Sequence, residues 1–356
     1  MKRVGGLWPD VVSFSNLLRA AEKAAAGKRT RTNVASFLMN LEGELLRLQR
    51  ELIQGSYVPG PYRSFRLQDP KPRLISAAPF RDRVVHHALT GVVEPIFERR
   101  FSSSSFACRL GMGTHAAILK ARQGARNFPY VLKCDVRKYF ASIDHEILKN
   151  LLSRVVKCAP TLDLATRIID GSNLQQDTAA YFPGDNLFTP YERRRGLPLG
   201  NQTSQFFANV YLNPLDQLLE RQWQPGAYAR YVDDLVVFDN SLERLRDTRD
   251  AIRGKLWDLR LDLHPSKSRI YRVADGVTFL GWRIFPRHAR LVRPNVIRFR
   301  RRMRRMQARY ATGGMMWKEI EQGIRAWLAH AAHGETWSLR ANLLNEFSFT
   351  GGRRTI

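Results

Sequence analysis

Apolar residues in the first part of the chain recur at helical spacing. Between residues 11 and 54 the pattern predicts helices, with Leu41, Leu45 and Leu48 three or four residues apart and Gly55 as a stop signal. The sequence that follows, up to Pro79, is interrupted by prolines and alternates between apolar and polar positions, which predicts short strands and turns.

The middle of the chain alternates between predicted strands and helices. Residues 130–136 form an apolar run typical of a buried strand, and two short apolar stretches, 227–232 and 235–238, flank Asp233 and Asp234. This arrangement predicts a β-hairpin with two acids at its tip. Residues 160–195 carry turn signals and no regular pattern, so they are left unassigned. Further helices are predicted at 84–97, from His145, at 203–221 and at about 242–260, and further strands at 269–273 and 277–285.

The last seventy or so residues are basic and helical in pattern. Ten arginines and no acid occur between Arg287 and Arg309, while apolar residues such as Phe299 and Met303 recur at spacings of three and four. A solvated charged face is one interpretation of this pattern. Arginines without compensating acids repel one another, which favours a surface that follows nucleic-acid phosphates. The residues proposed for that contact are Arg298, Arg301, Arg302 and Arg305.

Charge supports a polyanionic partner. The 356 residues include 58 Lys and Arg against 32 Asp and Glu, a formal net charge of +26, and such an excess suits nucleic acid because phosphate contacts release counterions. A basic protein of another kind, such as a ribosomal one, is the alternative. Three scattered cysteines are too few for a disulfide framework or a zinc site. With no apolar run of 18 residues, we expect a cytoplasmic protein that does not contact a membrane.

Three aspartates lie at the ends of predicted strands. Asp135 closes one apolar run, and Asp233 and Asp234 lie between two others. Carboxylates among β-branched residues are costly unless they bind something positive. Together they would form a hard-oxygen site for two Mg²⁺ ions, or for Mn²⁺ in their place, of the kind that promotes nucleotidyl transfer.

The motifs around these acids resemble those of reverse transcriptases. Tyr231-Val-Asp-Asp234 is similar to the catalytic hairpin of that family, and Asp135-Val-Arg-Lys-Tyr-Phe140 is similar to its first catalytic motif. The remaining similar segments, in family order, are Pro70–Ile75, Phe80–His87, Gly196–Gln205, His264–Lys267 and Phe279–Gly281.

This resemblance implies an α+β right-hand polymerase with fingers, a palm built on an antiparallel sheet, and a helical thumb. The implied divisions are an N-terminal helical extension (1–56), fingers with part of the palm (57–129), a palm with a fingers-side insertion near 160–195 (130–285), and a basic thumb (286–356). The ligands implied are template RNA, an RNA–cDNA hybrid and dNTPs.

The resemblance also implies site residues. Asp135 and Asp233 would be the main metal ligands, with Asp234 and the backbone carbonyl of Val136 beside them. Phe140 matches the aromatic residue that excludes a ribose 2′-hydroxyl, although a plain core role is the alternative. Lys267 matches a lysine that protonates pyrophosphate. The remaining implied sets are Arg66, Lys71, Arg73, Leu199, Gly200 and Gln205 for the dNTP, and Phe279, Leu280 and Gly281 for the primer grip. For Lys71 a surface salt bridge is an equal alternative. Asp144 is interpreted as a helix cap and Asp239 as the far end of the hairpin.

One departure from the usual pattern narrows the subtype. Most reverse transcriptases have Gln before the glycine and Pro after the serine of the third element, whereas this chain has Leu199 and Gln205. This variant is similar to that of diversity-generating retroelements, whose enzymes make errors opposite template adenines (mutagenic retrohoming). The resemblance then implies a bacterial, archaeal or phage-encoded protein, a structured, self-priming template RNA, and a small basic accessory variability protein assembled as a pentamer.

Two other functions stay open. A retron, CRISPR-associated or phage-defence reverse transcriptase is the alternative within the same enzyme class, and a non-catalytic RNA-binding scaffold is the alternative outside it. The chain shows no Cys/His-rich endonuclease, RNase H or integrase segment, which argues against an intron protein that carries its own nuclease.

Overall fold

A computed structural model describes residues 2–68, 72–172 and 181–350. The chain divides into two compact units, each assembled from three segments. Unit 1 comprises residues 1–109, 135–223 and 250–265, and unit 2 comprises residues 110–134, 224–249 and 266–356.

Unit 1 begins with four helices, as the leucine spacing predicted. They are α1 (Trp8–Val12), α2 (Phe14–Ala25), α3 (Thr32–Met39) and α4 (Leu41–Ile53). The hydroxyl of Ser13 accepts a hydrogen bond from the backbone N–H of Asn16 and so caps α2. One face of α2 is buried against α5 (Phe80–Glu98). Gly55 has a φ of +69°, which glycine tolerates best and which ends the helical segment.

The rest of unit 1 joins a β-hairpin to short helices. Strands β1 (Arg63–Leu67) and β2 (Arg73–Ala77) pair in antiparallel fashion, which confirms the strands predicted before Pro79. Besides α5, the helices of this part are α7 (Tyr139–Ser142), α8 (His145–Ser153), α9 (Ala159–Asp170), α10 (Thr189–Glu192) and α11 (Gln202–Leu218). A π-helical turn, Leu219–Trp223, extends α11.

The view of residues 160–195 as irregular was wrong for their first part. Pro160 stands in the first turn of α9, where a missing N–H costs nothing, and Leu164, Ile168 and Ile169 are buried on one face. The proline and the polar residues around it had hidden this helical spacing.

Asp144 caps α8, as expected from the sequence. Its carboxylate accepts hydrogen bonds from the backbone N–H groups of Glu146 and Ile147 at 2.9 and 3.1 Å. Arg260 donates to the other oxygen at 2.7 Å. The buried acid is therefore fully engaged in holding the fold.

Unit 2 is built on a four-stranded sheet. Its strands are β3 (Tyr130–Asp135, of which the last residue belongs to unit 1), β4 (Ala227–Tyr231), β5 (Asp234–Asp239) and β6 (Arg269–Arg272), in the order β4-β5-β3-β6. Helix α6 (Thr114–Asn127) packs on β4 and β5. The predicted hairpin around Asp233 and the strand ending near Asp135 are thus confirmed, as is the helix α12 (Leu242–Asp258) that follows the hairpin.

A second sheet in unit 2 leads into the C-terminal helices. It contains β7 (Val277–Phe279), β8 (Trp282–Ile284) and β9 (Ala289–Leu291). The single strand predicted at 277–285 is wrong, because Leu280 and Gly281 form a turn with φ values of +48° and +84°. Positive φ at both central residues matches the right-handed twist of a tight hairpin.

Three helices complete unit 2 and confirm the helical prediction for the basic end. They are α13 (Arg293–Ala311), α14 (Trp317–Ala331) and α15 (Trp337–Asn345). Phe299, Met303 and Met306 of α13 are buried with Ile320 and Leu343. The Phe299 and Trp327 rings stack 3.9 Å apart, which adds to the packing of this small core.

The chain therefore has a mixed helix and sheet architecture, consistent with an α+β polymerase. Within the described residues, no helix combines the length and apolarity needed to cross a membrane.

Candidate active site

Two of the predicted acids lie at the tip of the β4–β5 hairpin. Tyr231 pairs with Asp234, so the turn consists of Val232 and Asp233, and Asp234 is the first residue of β5. Val232 has a φ of +58°, a conformation that a β-branched residue rarely adopts. Both carboxylates are half-buried. The strained turn holds two adjacent acids at the edge of the core.

Arg230 supports this turn and was missed by the sequence reasoning. Its side chain is fully buried, and Nη1 donates a hydrogen bond to the carbonyl oxygen of Val232 at 2.9 Å. A charged residue inside an otherwise apolar strand was the available signal. A buried arginine is costly unless its donors are used, so this contact indicates a positioning role for Arg230.

Asp234 lies in a mixed electrostatic environment within unit 2. Its Oδ1 is 3.5 Å from the Nζ of Lys133, which also donates to the carbonyl oxygen of Thr278 at 2.6 Å. Burial raises the pKa of Tyr271 on β6, and the negative charge of Asp234 raises it further. Tyr271 therefore stays a neutral phenol beside the acids at physiological pH.

The third acid, Asp135, ends β3 at the start of a unit 1 segment. It is half-buried, and its carbonyl oxygen accepts a hydrogen bond from the backbone N–H of His264 at 2.7 Å. The next residue, Val136, is buried and forms an antiparallel bridge with Leu263. These backbone contacts fix the peptide on both sides of the carboxylate.

The donor set suits a hard divalent cation. Among the residues that the structure describes, no three His, Cys, Asp or Glu side chains are gathered as a complete metal site. Mg²⁺ is commonly held by one or two carboxylates together with substrate phosphates and water. The adjacent Asp233 and Asp234 match that donor chemistry.

Phe140 lies on the short helix α7, five residues after Asp135. It is half-buried, with its carbonyl oxygen accepting from the Leu197 N–H at 2.8 Å. The neighbouring Tyr139 is buried, and its hydroxyl donates to the carbonyl oxygen of Ala208 on α11. The Tyr139 contact anchors α7 and leaves part of the Phe140 ring accessible.

The loop that contains Leu199 and Gly200 is hydrogen-bonded to β2. The Ser76 N–H donates to the Leu199 carbonyl oxygen at 3.0 Å, and the buried Asn201 amide donates to the Ser76 carbonyl oxygen at 3.1 Å. The Asn201 Oδ1 accepts from the Ala78 N–H at 3.3 Å. Sequence reasoning missed Asn201, although an Asn beside a glycine is a common turn signal. These bonds position the loop on the hairpin.

Gly200 is required by this arrangement. Its φ is +113°, and a Cβ at this position would lie 3.0 Å from the Cγ2 of Ile75. Leu199 is half-buried, whereas Gln205, one turn into α11, is exposed. Unit 1 thus brings Leu199 and Gly200 against the β1–β2 hairpin.

Arg66 and Arg73, the two predicted site residues that the structure describes in that hairpin, lie on opposite faces. Arg66 pairs with Leu74, and Arg73 pairs with Leu67, and neighbouring positions along a strand alternate in direction. Ile75 shares the Arg73 face, and it is the residue that approaches Gly200. The face that bears Arg73 therefore lies toward the loop, and Arg66 projects from the other. Lys71 is outside the described residues.

The remaining predicted residues of unit 2 lie in turns or directly beside one. Lys267 is exposed in the turn before β6. Phe279 is fully buried, whereas Leu280 and Gly281 form the β7–β8 turn and are half-buried. The Gly281 carbonyl oxygen accepts from the Val292 N–H and from the Asn295 amide, both at 3.1 Å. Asn295, which the sequence did not single out, fixes this turn to the start of α13.

The arginines proposed for phosphate contact lie on α13. Arg298, Arg301, Arg302 and Arg305 are exposed, and their spacing places them on one helix face. Arg300 instead makes a two-point contact with Glu346, with distances of 2.7 and 2.6 Å. Part of the arginine cluster is therefore structural, and one stripe of it faces outward.

Comparison with known proteins gives the family. The sequence profile of the family described as reverse transcriptase (RNA-dependent DNA polymerase) matches residues 67–284. Protein YkfC of Escherichia coli (strain K12) is 27% identical over 287 residues, which cover 69% of this chain and 72% of YkfC.

Two intron-associated proteins are also similar. The group II intron-encoded protein LtrA of Lactococcus lactis subsp. cremoris is 23% identical over 257 residues, 70% of this chain and 40% of LtrA. Nuclear intron maturase 1, mitochondrial, of Arabidopsis thaliana is 38% identical over 85 residues, 24% of this chain and 12% of the maturase. The chain thus spans less than half the length of both these proteins.

The family profile covers more than half of the chain and includes the Tyr231–Asp234 turn, the Asp135 strand and the loop at Gly200. The chain belongs to the reverse transcriptase family and is an RNA-directed DNA polymerase.

Proposed function

We propose that Asp135, Asp233 and Asp234 share one catalytic centre that extends a primer along template RNA with dNTPs. Strand alternation places Lys133 and Asp135 on the same face of β3, and Lys133 is 3.5 Å from Asp234. The sheet order also sets β3 beside β5. These observations support a shared centre.

In this proposal the protein positions the reactants. Two Mg²⁺ ions, when bound, would activate the primer 3′-hydroxyl and stabilise the leaving pyrophosphate. The Val232–Asp233 turn, held by Arg230, keeps two carboxylates in place before substrate arrives. The Val136 carbonyl would contribute a further oxygen, and Lys267 a proton to the pyrophosphate. Preorganised charge of this kind is the main source of catalysis in many enzymes.

We assign dNTP binding to the face of the β1–β2 hairpin that carries Arg73. Its guanidinium geometry suits a triphosphate, and Leu199 and Gly200 lie on the same side. The accessible part of the Phe140 ring would exclude a ribose 2′-hydroxyl. Arg66, Lys71 and Gln205 are weaker assignments, because Arg66 projects from the opposite face and Gln205 is exposed.

For the nucleic acid we propose a primer grip and a phosphate-binding stripe. Leu280 and Gly281 would contact the primer strand, while the buried Phe279 supports their turn. Arg298, Arg301, Arg302 and Arg305 would follow the phosphates of the RNA–cDNA hybrid. We assign residues 57–129 to the fingers, 130–285 to the palm and 286–356 to the thumb, and residues 1–56 to an N-terminal extension.

The observation that carries the catalytic proposal is the pair of half-buried acids on the strained hairpin turn. Its test is primer extension on an RNA template by wild type, Asp233→Ala and a control variant, Asp250→Ala, whose acid is exposed on α12. We expect no extension by Asp233→Ala and wild-type extension by the control. Extension by Asp233→Ala at the wild-type rate would refute the mechanism and would favour the scaffold alternative.

For the subtype, we propose an adenine-mutagenic enzyme of the diversity-generating retroelement type. Leu199 offers no hydrogen bond where most family members have a glutamine, and a less constrained nucleotide reduces base selection. Sequencing of cDNA made on a defined RNA tests this. We expect errors concentrated at template adenines and fewer of them with Leu199→Gln. An unchanged error spectrum in that variant would contradict the role of Leu199.

The partners of that subtype are part of the proposal. They are a structured, self-priming template RNA and a small basic accessory variability protein. Addition of the accessory protein and the template RNA should raise cDNA yield above that of the enzyme alone, and equal yields would argue against this assembly.

A second candidate is a reverse transcriptase of the group II intron type. This candidate is favoured by the similar proteins, whose names include a group II intron-encoded protein and an intron maturase. The same cDNA sequencing separates the candidates, since this alternative gives no reason for errors to concentrate at adenines. A retron or phage-defence role remains a third alternative.

A further inference from the structure

Unit 1 contains a cleft that none of the assigned roles uses. Its volume is about 390 Å³, within the range of small-ligand sites. One wall is the Arg137–Ser142 segment that follows Asp135, and another is the end of α12 with Arg260 and Asp262. Residues 181 and 182 and the arginines before the Leu199 loop close the remainder.

The cleft is strongly basic. Five cationic side chains and one acid, Asp262, line it. The cationic residues are Arg137, Lys138, Arg193, Arg195 and Arg260. An excess of four positive charges around one concavity attracts anions and concentrates them there.

Two of these cations are engaged in holding the fold. Arg193 lies 3.4 Å from Asp144 and also pairs with Asp185, and Arg260 donates to Asp144 at 2.7 Å. By contrast, Arg137 and Lys138 are exposed, and neither of their side chains forms an ion pair or a hydrogen bond with another described residue; the Ser142 hydroxyl donates only to the backbone carbonyl oxygen of Lys138. Lys138 also has a φ of +46°, so the backbone itself turns sharply at this point. The two side chains are available for a ligand.

Aromatic rings face the same cleft. Trp257 is 43% exposed, which is unusual for a tryptophan, and its ring centroid lies 5.0 Å from that of Phe182. Phe182 in turn lies under the guanidinium of Arg193, at 5.4 Å. Tyr181 is 49% exposed. Open aromatic faces beside cations are the combination that binds a base and its phosphate.

We propose that this cleft is a second nucleotide-binding site, in which a base stacks on Trp257 and the phosphate contacts Arg137 and Lys138. The ligand is either a nucleotide within a single-stranded nucleic acid or a free nucleoside triphosphate, because both present the same base and phosphate. All residues that line the cleft belong to unit 1, and the proposed binding does not require the error-prone subtype.

The test measures binding in EDTA, so that metal-dependent dNTP binding at the proposed catalytic centre does not contribute. The probes are a fluorescent nucleoside triphosphate, mant-ATP, and a fluorescein-labelled 12-nucleotide oligo(U), both followed by anisotropy. The variants are Trp257→Ala, Trp257→Phe and the double change Arg137→Ala with Lys138→Ala. The controls are Trp337→Ala, an exposed tryptophan of α15, and Arg325→Ala, an exposed arginine of α14.

We expect Trp257→Ala to weaken binding by about 5- to 150-fold, the usual range for loss of one stacked base, and Trp257→Phe to retain most of the affinity. The Arg137/Lys138 double variant should lower the slope of log affinity against log salt for oligo(U) by about 1.4, since about 0.7 is lost for each phosphate contact. The two control variants should bind both probes as wild type does.

The two probes distinguish the source of the nucleotide. If the variants lose affinity for oligo(U) alone, the site binds a nucleotide within a single-stranded nucleic acid. If they lose affinity for mant-ATP, the site binds a free nucleoside triphosphate. If Trp257→Ala and the double variant bind both probes with wild-type affinity and salt dependence, or if the control variants weaken binding equally, the proposal is wrong.

Discussion

The acidic hairpin of unit 2 and the Leu199 loop of unit 1 place functional groups in different ways. In the hairpin, side chains carry the chemistry: Asp233 lies in a strained turn that the buried Arg230 supports, and Asp234 follows it directly. In the loop, hydrogen bonds to β2 do most of the positioning: the Ser76 N–H donates to the Leu199 carbonyl oxygen, and the Asn201 side-chain amide donates to the Ser76 carbonyl oxygen.

The difference predicts how each region responds to substitution. Loss of a carboxylate removes charge that no neighbour replaces, so the effect falls on the rate of the chemical step. Loss of a loop contact shifts the position of a surface that the nucleotide touches, so the effect falls on nucleotide binding and stability. The variants below, in order of decreasing expected effect, test this contrast.

Asp234→Asn should have the largest effect. The amide keeps the shape of the side chain but removes the charge, and we expect the single-turnover extension rate to fall by about 100- to 1,000-fold. The melting temperature should change little. A rate within a few-fold of wild type would show that the second acid of the hairpin is dispensable.

Arg230→Met should reduce the primer-extension rate because it removes support from the Val232–Asp233 turn. Removal of the donor to the Val232 carbonyl leaves a partly buried oxygen with one partner fewer, at a cost of about 1 kcal/mol in the free energy of unfolding. We expect kcat to fall by about 10-fold or more with little change in the KM for dNTP, and Arg230→Lys to recover part of kcat.

A matched control for Arg230 is Arg300→Met, whose guanidinium pairs with Glu346 on the surface. It should leave kcat unchanged. If Arg230→Met loses stability but keeps kcat, Arg230 has a structural role only.

Arg73→Ala and Arg66→Ala separate the two faces of the β1–β2 hairpin. Loss of a charged hydrogen bond to phosphate costs about 1.5–3 kcal/mol, so Arg73→Ala should raise the KM for dNTP by about 10-fold or more. Arg66→Ala should change it by about two-fold or less, because surface charges away from a ligand contribute little. Equal effects would show that the face assignment is wrong.

Asn201→Ala should have the smallest effect. It removes two hydrogen bonds, one with Ser76 of β2 and one with Ala78 just after that strand. Each makes a net contribution of about 1 kcal/mol, so the melting temperature should fall. The KM for dNTP should rise by a few-fold at unchanged kcat. A fall in kcat without a change in KM would contradict the contrast between loop and hairpin.

The acidic hairpin was predictable from sequence because its pattern is local. Two apolar strands with two acids between them leave few other arrangements, and the helix-capping role of Asp144 followed from its place before His145. The support of Arg230 was not predictable, because a buried arginine in a strand reveals its partner only when the turn folds back over it.

The loop was harder to predict because its contacts join distant segments. Nothing near Asn201 in the sequence indicates Ser76, more than 120 residues away. The turn at Leu280 and Gly281 was missed for the same reason, because Asn295, which holds it, lies on the next helix. The apolar residues around Leu280 also gave no sign that this leucine has a positive φ.

The central claim, that Asp233 binds a catalytic divalent cation, is tested most directly by a change of ligand chemistry. In Asp233→Cys the hard carboxylate becomes a thiolate, which disfavours Mg²⁺ and accepts softer cations such as Mn²⁺ and Cd²⁺. Single-turnover extension on an RNA template should be lost in Mg²⁺ and partly restored when Mn²⁺ or Cd²⁺ is added. Extension by Asp233→Cys in Mg²⁺ at the wild-type rate would contradict the account.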